Sequence, residues 1–140
     1  MARRKRYRVA DTAQQIVGGF LLAGPFVVTE EVWGLAGEMT LWHGIGTTVL
    51  VAVIGYGALY QADDDRDPDT EAEVAGLPVR FLSLLGVAFG SVAVLALLLN
   101  APASFLSGES TATQVATTLK VISVGAIFSV VGAATADSIF

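Results

Sequence analysis

Long runs of hydrophobic residues alternate with short polar segments along this chain of 140 residues. Four runs, approximately residues 12–36, 40–60, 79–100 and 113–136, match the roughly 20 apolar residues needed to cross a bilayer. The pattern predicts an all-α fold, a bundle of four transmembrane helices. Residues 1–140 are expected to form a single integral membrane domain, since little chain remains for a soluble one.

The composition supports a membrane protein. Hydrophobic residues make up 54% of the chain, charged residues only 15%, and the mean hydropathy is +0.65. Soluble domains average about 25% charged residues. The first hydrophobic run exceeds the ~7 to 15 residues of a signal-peptide core and lacks a small-x-small cleavage site. The first helix is therefore expected to be retained.

Motifs that support enzyme chemistry are absent from the sequence. The chain has no cysteine, which excludes disulfides and thiolate metal sites within it. His43 is the single histidine, so one subunit cannot form a histidine metal cluster. No phosphate-binding loop, H-E-x-x-H or G-x-S-x-G motif occurs. We expect no enzyme activity, no metal or cofactor and no nucleic-acid partner.

The basic residues predict the orientation in the membrane. Five of them lie between Arg3 and Arg8, directly before the first run, and the positive-inside rule places that end in the cytoplasm. Four spans return the C-terminus to the same side. The connections 34–39 and 101–112 contain no Lys or Arg, as expected of external loops. The sequence thus predicts a multi-pass plasma-membrane protein with both termini cytoplasmic.

The predicted internal loop, residues 61–79, is strongly acidic. Its carboxylates are Asp63, Asp64, Asp65, Asp67, Asp69, Glu71 and Glu73. An EF-hand counted from Asp65 needs Gly and Glu where Thr70 and Gly76 stand, so a solvated linker is favoured over a calcium loop. This loop and a pI near 4.6 resemble the acidic composition of proteins from halophilic archaea.

Charged residues near the predicted outer ends of the runs raise a separate question. If the first span ends near Ala36, Glu31 and Glu30 lie about 7 to 9 Å inside the membrane. By the same count His43 lies about 5 Å deep and Lys120 about 9 Å deep. An unpaired charge at such depth is costly. We therefore predict that the glutamates face the bundle interior and that Lys120, in the same or a neighbouring subunit, pairs with one of them.

Other residues of the first and second runs carry structural hypotheses. Pro25 cannot donate to the carbonyl of Leu21, which favours a kink over a pore-lining carbonyl. Trp33 and Trp42 are predicted to anchor the helices at the outer interface. Glycines at helix-packing spacing are more consistent with contacts inside the bundle than with a dimer motif. They are Gly18, Gly19, Gly86, Gly90, Gly125 and Gly132.

The stretch GGFLLAGPFVVTEEVW, residues 18–33, resembles the first-helix signature of an uncharacterised family of bacterial and archaeal integral-membrane proteins. That signature reads G-G-x-L-x-x-x-P-x-x-x-T-x-E-x-W. Glu31 matches it, whereas Glu30 does not; further matching residues are Gly18, Gly19, Pro25, Thr29 and Trp33. Bacterial members look about twice as long, which implies that two or more copies of this chain assemble. The family brings no established activity.

Two functions remain open at this point. In the first, a homo-oligomer in the lipid bilayer conducts or translocates monovalent or divalent cations past a ring of Glu31 or Glu30. Pro25 and Thr29 would adjoin that path. In the alternative, the chain is a structural or accessory subunit, in which Glu31, His43 and Lys120 form a buried network that fixes helix register.

The predicted topology is testable with a reporter fused after Phe140. Because the basic cluster precedes the first run and four spans follow, a reporter that is active only in the cytoplasm should be active there. The measurement is reporter activity in intact cells. A fusion active only outside the cell would contradict the orientation.

Overall fold

The computed structural model describes residues 8–61, 73–74 and 76–139. These residues form an all-α fold with six α-helices: α1 (Val9–Val27), α2 (Glu30–Glu38), α3 (Leu41–Tyr56), α4 (Val79–Leu98), α5 (Ala101–Phe105) and α6 (Thr111–Ile139). A π-helical turn over Gly57–Gln61 extends α3. Two short antiparallel strands, β1 (Glu73–Val74) and β2 (Leu77–Pro78), precede α4.

Three of the described helices are long and apolar enough to cross a membrane. They cover Leu41–Tyr60, Val79–Leu98 and Thr111–Ser138. A fourth candidate is the pair of α1 and α2, which pass the same test together but are bent by 81°. The described residues therefore contain three candidate spans, or four if the bent pair counts as one. The expected first span, 12–36, is two helices rather than one straight helix.

The corner between α1 and α2 is closed by side-chain hydrogen bonds. Thr29 has an extended backbone and begins α2 as its N-cap residue. Its hydroxyl donates to the carbonyl of Phe26 at 3.0 Å, and the indole N–H of Trp33 donates to the carbonyl of Val27 at 2.9 Å. The last carbonyls of a helix lack helical partners, so these bonds satisfy two of them. Pro25, three residues before the turn, removes one further backbone donor.

The central helix is α6, which packs against α1, α2, α3 and α4. Its closest approach is to α1, where a Cβ on Gly18 would overlap the carbonyl of Gly132, and a Cβ on Gly132 would overlap that of Gly18. Next to this contact the Ser129 hydroxyl donates to the carbonyl of Gly19 at 3.0 Å. Small residues thus allow the two backbones to touch, as in other helix contacts within membranes.

The remaining predicted packing glycines divide into two groups. Gly125 lies against Val92 of α4, so it belongs to the α4–α6 contact. A Cβ on Gly86 or Gly90 would meet no atom within 4 Å. These two glycines therefore face away from the interior of the chain, on an open groove beside α1.

Two apolar clusters fill the interior at different levels along the bundle. The first includes Leu59, Leu84 and Val130 and lies toward the end of the bundle where α1 and α4 begin and α6 ends, which we call the terminal end. The second includes Val27, Trp33 and Val121 and lies toward the opposite end, the distal end, where α2 and α5 pack. The bundle is thus closed by apolar side chains at both levels.

The contact between α1 and α6 predicts opposite results for two glycine substitutions. Gly132→Leu should destabilise the protein by more than the ~1–3 kcal/mol typical of overpacking, because its side chain meets backbone. Gly86→Leu is the matched control and should leave stability within ~0.5 kcal/mol, since that position is open. Unfolding in detergent, followed by circular dichroism, measures both. Equal stability of the two variants would contradict the packing described.

Candidate functional site

The most strongly buried charge among the described residues is Arg80, whose side chain is 0% exposed. One of its nitrogens donates to Oδ1 of Asp137 at 2.7 Å, and another donates to Oδ2 of Asp11 at 3.3 Å. Asp137 is also fully enclosed, and Asp11 nearly so. One guanidinium thus bridges two carboxylates from different helices.

Helix geometry brings these three charges together at the terminal end. Asp11 lies in the first turn of α1, Arg80 is the second residue of α4, and Asp137 lies in the last turn of α6. A base at a helix N-terminus and an acid at a helix C-terminus both oppose the helix dipole. The pairing of Arg80 with Asp137 offsets both unfavourable placements, while Asp11 is at the favourable end of α1.

Uncharged side chains extend the same network. The Gln15 amide donates to Oδ2 of Asp137 at 3.0 Å, and the Ser83 hydroxyl donates to Oε1 of Gln15 at 2.7 Å. The hydroxyls of Thr12 and Ser83 lie 3.3 Å apart, and the backbone N–H of Arg8 donates to Asp11 at 2.8 Å. We call Asp11, Thr12, Gln15, Arg80, Ser83 and Asp137 the arginine network.

The arginine network joins helices through buried, paired charges, which is a structural role. Buried ionised groups are tolerated where each has an opposite charge and hydrogen bonds to its remaining polar atoms. Arg80 is held from two sides, and each carboxylate accepts a second hydrogen bond. Among the described residues, no group of three or more His, Asp or Glu side chains is placed to hold a metal ion.

The glutamates and their predicted partners do not meet within one described chain. Glu30 and Glu31 are the exposed first two residues of α2. His43 is exposed too, and its Nδ1 accepts from the backbone N–H of Thr40 at 3.0 Å, which caps α3. Lys120 is half-buried and lines an apolar groove between α3 and α6. The ion pairs between described residues are those of Arg80; a pair between Lys120 and a neighbouring subunit stays a prediction.

The corner changes the depth count from Ala36, which assumed one straight helix over residues 12–36. α1 has 19 residues and therefore rises about 28 Å by itself, close to the ~30 Å of a hydrocarbon core. Carboxylates placed after its end need not lie in hydrocarbon. Both also lie in the first turn of α2, where the helix dipole favours negative charge.

The two tryptophans have different environments. Trp42 is 77% exposed on α3, as expected of an interfacial anchor. Trp33 is 2% exposed, and its ring stacks on that of Phe105 with the centroids 5.7 Å apart. Trp33 is therefore a core residue that braces the corner, and not an exposed anchor. The stretch 18–33 supplies the α1–α6 contact at one end and this corner at the other.

Residues 62–72, which hold most of the predicted acidic loop, lie outside the described part of the chain, as do residues 1–7 with most of the basic cluster. The calcium and linker hypotheses for the loop therefore stay as predictions. Arg80 directly follows the predicted loop and belongs to α4.

No residue of the arginine network is among the site residues that the sequence predicts. Asp11 and Asp137 fall just outside the predicted spans 12–36 and 113–136, so both look like surface residues. One pattern points to them: in a four-span topology the first and third runs begin, and the fourth ends, on the same side. Each of those three ends carries one of these charged residues within a turn. Arg80 is positive, whereas Asp11 and Asp137 are negative.

Fold and site together define an all-α protein whose described residues include three or four helices long and apolar enough to span a membrane, tied by a buried arginine at one end. No family model matches the chain, and comparisons with curated proteins and with solved structures found no match. The resemblance of residues 18–33 to a family signature therefore stays an expectation.

The arginine network predicts non-additive effects of charge removal. Arg80→Met leaves two buried carboxylates without their cation and should cost about 3–5 kcal/mol of stability. Combining it with Asp11→Asn and Asp137→Asn should restore most of that loss, because no buried charge is left unpaired. Unfolding in detergent measures each variant, with Glu38→Gln, at an exposed position, as the control. If the triple variant is as unstable as the sum of its parts, the three residues do not act together.

Proposed function

We propose that the protein is a structural or accessory membrane subunit, in which the arginine network holds α1, α4 and α6 in one register. The observation that carries this proposal is the bridging of Arg80 between two carboxylates from two other helices. Buried ion pairs add little net stability compared with apolar packing, but they can specify one arrangement of helices. A subunit whose helices keep one register presents the same surface to a partner protein.

The surface that favours an accessory role is the outer face of α3. Within that helix only Val51 and Gly55 are buried, although together with its π-helical turn it is long and apolar enough to span a membrane. Its exposed large residues are Leu41, Trp42, Ile45, Val49, Leu50 and Val53. This face contacts lipid or another membrane protein, and we propose the latter for the half nearer the terminal end, which includes Val53.

The second candidate is cation conduction between several copies of the chain. The observation that favours it is the position of Glu30 and Glu31, both exposed directly after the break between α1 and α2. Exposed carboxylates from several subunits can form a ring that attracts cations. One subunit does not place them inside its own bundle, so this function requires a homo-oligomer.

Ion flux into liposomes that contain the purified full chain separates the two candidates. The accessory proposal expects no flux of Na⁺, K⁺, Ca²⁺ or H⁺ above that of empty liposomes. Flux that falls on Glu31→Gln, while folding and oligomer size stay unchanged, would support the cation pathway instead. Glu30→Gln is the matched control, since only Glu31 matches the family signature, and it should have the smaller effect.

A photo-crosslinking side chain at Val53 tests the accessory role directly. Val53 is exposed on α3, so a partner protein on this face should give a crosslinked band of defined mass in native membranes. The same probe at Val17, exposed on α1, is the control and should give no such band. Identical patterns from both positions would contradict a partner on α3.

A further inference from the structure

The groove between α3 and α6 is an apolar surface with one lysine among its lining residues. Lys120 lines it together with Gly44, Ile45, Val49 and Leu119. Its volume is about 410 Å³, within the range of about 300–1,000 Å³ typical of small-molecule sites. Apart from Lys120, its lining carries no charged side chain. The exposed glutamates of α2 are not among the lining residues.

A hydrogen bond fixes the depth of Lys120 relative to α3. The Thr47 hydroxyl donates to that of Ser123 at 2.8 Å, and α3 and α6 both start at the distal end. Three residues before this pair stand Gly44 and Lys120, at one level. That level is about 4 to 5 Å below the first residue of α3. Exposed Trp42 lies within a turn of it, as a residue at a membrane interface would.

We propose that this groove binds one anionic phospholipid, with the phosphate on the ammonium of Lys120 and an acyl chain along Ile45, Val49 and Leu119. The charge carries the choice of ligand: within the described chain Lys120 has no carboxylate partner, and a phosphate at the headgroup level supplies one negative charge. A lysine side chain also reaches from an apolar surface to such a level. The apolar remainder of the groove matches a hydrocarbon chain.

Native mass spectrometry of the full chain in detergent tests the site, with phosphatidylglycerol as the anionic probe and phosphatidylcholine as the neutral one. Wild type should retain one phosphatidylglycerol in preference to phosphatidylcholine. Lys120→Met should weaken phosphatidylglycerol binding about tenfold, as the loss of one charge-assisted hydrogen bond does. Lys120→Arg keeps the charge and should keep the binding.

A pair of glycine variants tests the groove independently of the charge. A Cβ on Gly44 or on Gly46 meets no atom within 4 Å, so a leucine at either position should be compatible with folding. Gly44 lines the lysine groove, whereas Gly46 lines a different groove of the same helix. Gly44→Leu should therefore weaken phosphatidylglycerol binding, and Gly46→Leu should not. Circular dichroism confirms that both variants are folded.

Three results would overturn the proposal. The first is equal retention of phosphatidylglycerol by wild type, Lys120→Met and Gly44→Leu. The second is complete displacement of the lipid by glycerol phosphate at equal concentration, which would remove the role of the acyl chain. The third is loss of an oligomer in Lys120→Met with unchanged lipid binding, which would assign Lys120 to a carboxylate of a neighbouring subunit.

Discussion

The burial of Arg80 constrains the rest of the structure. A guanidinium with no exposed surface requires anionic partners, and these come from the first turn of α1 and the last turn of α6. Meeting that requirement fixes the ends of three helices at one level. The close contact of Gly18 with Gly132 then follows about two turns away, where the backbones of α1 and α6 touch. Polar pairing sets the register, and small residues allow the close packing.

At the distal end the structure depends on backbone hydrogen bonding and not on charge pairing. The corner after α1 replaces helical hydrogen bonds with bonds from Thr29 and Trp33 to the carbonyls of Phe26 and Val27. Unsatisfied backbone groups are costly in an apolar environment, so such a break needs these local donors. The break also moves Glu30 and Glu31 out of the line of α1. Their exposure results from this turn of the backbone, and no buried cation is required to explain it.

The two ends therefore differ in what they offer to other molecules. At the terminal end Asp11, Arg80 and Asp137 are turned inward and paired with one another, which suits a fixed scaffold. At the distal end the glutamates of α2 are exposed, and Lys120 is half-buried beside an apolar groove. The accessory role, the cation pathway and the lipid site all concern surfaces, while the interior of the chain is occupied by the arginine network and two apolar clusters.

Hydropathy alone predicted the all-α fold and the membrane class, because length and apolarity of a run are local properties that a bilayer selects. It also located the second, third and fourth runs close to Leu41–Tyr60, Val79–Leu98 and Thr111–Ser138. Tertiary structure alone decided which charges are buried. Asp11, Arg80 and Asp137 are far apart in the chain, and the depth of Glu31 depends on a corner that hydropathy does not detect. Pairing and direction arise from how helices pack, and a linear pattern does not contain that information.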